Sequence, residues 1–156
     1  MIESSQFHDF LKEIGSNRIV GVTLLTWLTA QALKVVFGVF REKRFNFKWL
    51  VETGGMPSSH AAGVTSLATS VGCVAGFDSP IFAVTAVVAL IIMFDAQGVR
   101  RASGQQAEVL NKIMEDVYFK KEIPEDRLKE LWGHTPVEVI MGALLGIFLS
   151  LLFFNL

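Results

Sequence analysis

Apolar residues along this chain gather in blocks, and the blocks are long. Residues 19–40, 61–76, 81–94 and about 136–154 are apolar runs divided by polar or charged stretches. A helix rises 1.5 Å per residue, so the roughly 22 residues of the first run can cross a bilayer's hydrocarbon layer. The second run, counted from Ser58, has about 19 residues and is barely a span; a re-entrant helix fits it as well. Its small residues suit close packing against other helices. The pattern predicts an all-α fold, a polytopic membrane helical bundle with about four membrane segments near 19–40, 58–76, 80–97 and 136–154. A soluble, helical insertion covers about 99–133, and the chain reads as a single integral membrane domain, 1–156.

Polar positions refine that picture. Thr23, Thr26, Thr29, Gln31 and Lys34 interrupt the first run. Polar side chains at membrane depth face a bundle interior or a water-filled cavity. For Lys34 the alternative is a side chain that snorkels to the headgroups. Ahead of that run, Phe7, Phe10, Leu11 and Ile14 mark a short amphipathic helix broken by Gly15 and Asn17, with His8 on its surface. Residues 41–48 are basic with interleaved phenylalanines, which suits a membrane surface, and residues 76–80 form a turn. The third run passes into Asp95-Ala96-Gln97-Gly98-Val99-Arg100-Arg101, where charge arrives abruptly at its end. Beyond it Val109, Ile113 and Met114 lie at helical spacing, and Pro124 opens a second short helix that Gly133 ends.

Composition agrees with a membrane protein. The hydrophobic share is 51% and mean hydropathy is +0.46. A net charge of −1 gives no reason to expect nucleic acid as a partner. One cysteine, Cys73, excludes a disulfide framework and reads as a buried, inert thiol. The polar, mixed-charge first 18 residues do not resemble a cleavable signal peptide. If all four segments cross, residues 41–57 and 98–135 share one face, with eleven lysines and arginines against only Lys12 and Arg18 opposite. The positive-inside rule makes the loop face cytoplasmic and leaves both termini outside.

The candidate chemistry collects on that face. Lys34, Arg41, His60, Asp95, Arg100, Arg101, His134 and Glu138 all fall near its helix ends. Pro57-Ser58-Ser59 reads as a helix start, where unpaired N–H groups and the positive dipole end suit an oxyanion. Positive-inside bias accounts for the cations but not for two histidines, each at a helix start. Asp95 reads as a structural partner of Arg100 or Arg101, with metal binding the lesser alternative because no second carboxylate lies nearby.

Pro57-Ser58-Ser59-His60 resembles the Pro-Ser-Gly-His motif of the type 2 phosphatidic acid phosphatase superfamily, which includes lipid phosphatases and vanadium haloperoxidases. Lys34 and Arg41 resemble its Lys-x6-Arg-Pro motif, with Glu42 in place of proline. His134-x3-Glu138, followed by Gly142 and Gly146, resembles its His-x3-Asp motif, with glutamate for aspartate. The superfamily's Ser-Arg pair has no match just before His134; the nearest such arginines are Arg100 and Arg101. Over nearly its whole length the chain is most similar to a divergent branch, the acid phosphatase/vanadium haloperoxidase-related membrane proteins.

The resemblance implies a metal-independent phosphatase without a cofactor, acting on a membrane lipid phosphate or pyrophosphate. His134 would be the nucleophile, Glu138 would orient it, and His60 would serve as general acid and base. Lys34, Arg41, one of Arg100 and Arg101, and the start of the Ser58-Ser59 helix would hold the phosphate. Thr135-Pro136-Val137-Glu138 is also a good capping box, so Glu138 has a purely local alternative role. A lipid-phosphate binder or translocase without turnover is the competing function, and a small structural subunit is a third. Haloperoxidase activity is disfavoured by the size of the bundle, and homo-oligomerisation is left open.

Overall fold

The structure, a computed structural model, describes residues 4–43, 55–117 and 134–155. The element order is α1 (Ser4–Ser16), α2 (Arg18–Glu42), α3 (Ser59–Ala75), α4 (Pro80–Val117) and α5 (Pro136–Asn155), with no strand among the described residues. Arg18–Phe40, Pro80–Gln97 and Pro136–Asn155 are long and apolar enough to cross a membrane. The protein is therefore an all-helical, multi-pass membrane bundle. The helix expected after Pro124 and most of the basic stretch 41–48 lie outside the described residues.

The least apolar span candidate, α3, is the centre of the bundle. It packs against α2, α4 and α5, while α4 and α5 touch each other little. The physical reason is its composition. Ala61, Ala62, Ala68 and Gly72 keep its surface thin, and Thr65, Ser66, Thr69 and Ser70 supply hydroxyls that need protein rather than lipid around them. The other helices turn large apolar side chains outward, among them Leu24, Leu28, Val87, Ile91 and Phe148. In water that would be a fault; in hydrocarbon it is the expected outer surface.

The sharpest packing is between α3 and α5. A Cβ on Gly142 would run into the Ser58 carbonyl oxygen, and one on Gly146 into the Ala62 carbonyl oxygen and the Thr65 hydroxyl. One helical turn further on, Ser150 Oγ lies 2.8 Å from Ser66 Oγ and donates to the Ser66 carbonyl at 3.1 Å. The two helices thus run parallel at a constant sequence offset of 84. Thr26 from α2 and Ser70 join Ser66 and Ser150 in a fully buried hydroxyl cluster.

Helix ends show how the remaining strands of chain are turned. Asn17 caps α2 through bonds from the Ile19 and Val20 amides, and Ser58 caps α3 by accepting the Ala61 N–H at 3.3 Å. Gly76 ends α3 with φ +94°, a conformation L residues rarely adopt, and Ser79 caps α4 through the Phe82 amide. Arg18 at the start of α2 donates to the Phe153 carbonyl and stacks over Phe154 at the end of α5. Helices α2 and α5 are therefore antiparallel. The end of α2, the starts of α3 and α5, and the middle of α4 meet at one level.

Sequence and structure differ at α4. Charge at residues 95–101 marks the end of an apolar run, yet the helix continues through it to Val117. An apolar run ends where hydrocarbon ends; a helix ends only where its backbone bonding does. Alanine, glutamine, glutamate and lysine between 105 and 112 are all good helix formers in water.

Candidate active site

His134 stands just before α5 and is buried, with 3% of its surface exposed. Its backbone N–H donates to the Ala96 carbonyl of α4 at 3.1 Å, which fixes the entry of α5 against α4. Its ring Nδ1 lies 3.2 Å from Glu138 Oε2, one helical turn along. The same carboxylate oxygen accepts the Thr135 N–H at 3.0 Å, and Thr135 Oγ1 accepts the Glu138 N–H at 3.4 Å. The capping box and the histidine pair are one construction. A carboxylate on Nδ1 places the proton there and leaves Nε2 as the ring's basic atom.

His60 faces it from the first turn of α3. The two imidazole rings lie 6.0 Å apart between centroids and are tilted by 59°. A backbone bond from Ser58 N to the Glu138 carbonyl, 2.9 Å, holds these two helix starts side by side. Gly142 permits that approach, since any side chain there would strike the Ser58 carbonyl.

Lys34 comes from α2 and is 5% exposed. Its stem lies against Gly55, whose φ is +96° and where a Cβ would sit 3.2 Å from Lys34 Cγ. The lysine is thus buried in the bundle, beside the segment that leads into α3, and does not snorkel outward. The starts of α3 and α5 turn the positive ends of two helix dipoles to this side of the bundle, beside the Glu138 carboxylate. Among the described residues, no group of three or more His, Cys, Asp or Glu side chains is placed to hold a metal ion.

The remaining sequence candidates fall out as follows. Ser58 and Ser59 are buried at the start of α3. The Ser58 amide is already bonded to Glu138 and its hydroxyl is the cap, so an amide contribution to phosphate binding rests on the turn that follows it. Asp95 is exposed on α4, whereas its neighbour Ala96 is buried and bonds to His134. Arg41 lies in the last turn of α2, and Arg100 and Arg101 lie on α4. Sequence reasoning missed the bond from His134 to Ala96 and the contact of Lys34 with Gly55. One acts through a backbone carbonyl, which no residue type advertises; the other had a signal in its glycine beside the Pro-Ser-Ser-His stretch.

A multi-pass membrane bundle that brings two histidines and a carboxylate together at paired helix starts, with a lysine buried on a third helix, is the class of protein defined here. Residues 15–149 match the model of the divergent PAP2 family, and the chain belongs to that family. It is 44% identical over 140 residues to the uncharacterized membrane protein YuiD of Bacillus subtilis, covering 83% of this chain and 89% of the relative. No solved structure matches.

Proposed function

We propose that the protein is an integral membrane phosphatase that hydrolyses a lipid phosphate or pyrophosphate through a phosphohistidine, working from the cytoplasmic face. The observation that carries this reading is the His134–Glu138 pair, 3.2 Å, with the His60 ring 6.0 Å across from it. His134 Nε2 attacks phosphorus while the bond from phosphorus to the lipid oxygen breaks. His60 gives its proton to the departing oxygen, then takes one from the water that attacks the phosphohistidine. Breakage of the phosphorus–nitrogen bond releases phosphate and restores His134. Glu138 holds the ring and stabilises the cation that develops on it. Lys34, Arg41 and one of Arg100 and Arg101 oppose the charge on the phosphoryl oxygens.

The test is phosphate release by purified protein in detergent from phosphatidic acid, phosphatidylglycerol phosphate and polyprenyl phosphates and pyrophosphates. Wild type should release phosphate from at least one, and His60→Ala and His134→Ala should each abolish release. Binding of a lipid phosphate with no release from any substrate would reject the enzyme reading and leave a binding or translocating protein.

A further inference from the structure

A lipid phosphate held at His134 has to lead its hydrocarbon out of the bundle, and most routes are closed. The α3–α5 seam is shut by Gly142 and Gly146, and the α2–α3 seam by the Thr26–Ser66 hydrogen bond and by Trp27 over Gly63. Between α4 and α5, which barely touch, lies a groove of about 270 Å³ lined by Leu90, Phe94 and Gln97 on one side and Val139, Ala143 and Leu144 on the other. It runs along about two turns of α4 and about one and a half of α5, roughly 8 to 10 Å. Leu90, Phe94 and Leu144 are among the exposed apolar residues, so its mouth opens to the side of two membrane-spanning helices. Its other end is next to the site: Gln97 follows Ala96, which bonds His134, and Val139 follows Glu138.

We propose that this groove holds one hydrocarbon chain of the lipid phosphate, which enters sideways from the bilayer with its phosphate directed to His134 and Lys34. The inference rests on the lipid-phosphate reading of the site but not on turnover. Its occupant is chosen by continuity. The groove is apolar but for Gln97 at its inner end, and it is bordered by bilayer at one end and by the histidine site at the other. An amphiphile with a phosphate head and an alkyl tail matches both ends; a soluble phosphate ester matches only one.

The experiment uses the full chain in phosphatidylcholine vesicles with phosphatidic acid and polyprenyl phosphate probes that carry a diazirine in the tail. After irradiation, adducts are mapped by mass spectrometry. Adducts concentrated at residues 90–97 and 139–144, suppressed by unlabelled lipid phosphate but not by added phosphatidylcholine, are the expected result. Ala143→Phe should reduce them about tenfold by displacing a few methylenes, while Leu152→Phe, elsewhere on α5, should not. Equal labelling of the same residues by a diazirine-bearing phosphatidylcholine would overturn the proposal, as would label on α2 or the absence of competable label. Groove labelling without phosphate release from any substrate would sink the phosphatase and leave the groove standing.

Discussion

Glu138 serves two neighbours through one oxygen, and that separates its structural from its chemical contribution. In Glu138→Gln the amide oxygen can still accept the Thr135 N–H, so the helix cap survives. The charge that orients and stabilises His134 does not. Turnover should fall about 10²–10⁴-fold, with the melting temperature in detergent almost unchanged; a matching loss of both would mean that Glu138 only caps. Lys34→Met keeps the stem against Gly55 and removes the ammonium. Lipid-phosphate affinity should drop about 10- to 100-fold, the share of a charge-assisted contact, and unchanged affinity would remove Lys34 from the site. The contact of Glu138 with His134 was legible in sequence, because an i, i+4 spacing to a histidine is a contact on any helix. The lysine was ambiguous, because snorkelling and inward burial differ only in which face of α2 meets α3.

At the scale of elements, the α3–α5 pair tests which force holds a membrane bundle together. Hydroxyl contacts across membrane helices are worth about 0.6 kcal/mol on average, whereas overpacking a closed interface costs about 1–3 kcal/mol. Gly146→Ala should therefore destabilise the protein more than Ser150→Ala, even though Ser150 makes several hydrogen bonds and Gly146 has no side chain. Unfolding in graded detergent mixtures measures the order; the reverse order would show that the hydroxyl cluster, not close approach, dominates. The glycines themselves were visible in the sequence as a Gly-x3-Gly spacing. Their partner was not, since nothing in one helix's pattern names the helix it meets or the offset of 84.

For the whole molecule, four successive helices that reverse direction put the site at one end and Arg18 with Phe153 at the other. The orientation proposed above then has a direct reading. In a variant with Cys73 replaced, a cysteine at Gln106 should react with a probe confined to the cytoplasmic side, and one at Asn155 only with a probe outside. The opposite pattern would turn the site outward. The bundle was legible because hydrocarbon demands apolar surface over a fixed length, and three helices meet that demand plainly. What lay hidden was the rank of α3. Its serines and threonines make it the poorest candidate for contact with lipid, and that same polarity puts it in the middle.

The parallel seam between α3 and α5 also bears on how the protein is made. A ribosome delivers α3 to the membrane well before residues 134–155 exist, so its hydroxyl face and His60 enter without the helix that later covers them. Until α5 arrives, the 17 residues of α3 have only α2 and then α4 to shield them. The paired-histidine site is therefore the last part of the molecule to be completed. A nascent chain arrested before His134 would carry His60 without the ring that faces it and a row of serines and threonines without the helix that covers them, and it would present membrane quality control with a clear mark of incompleteness.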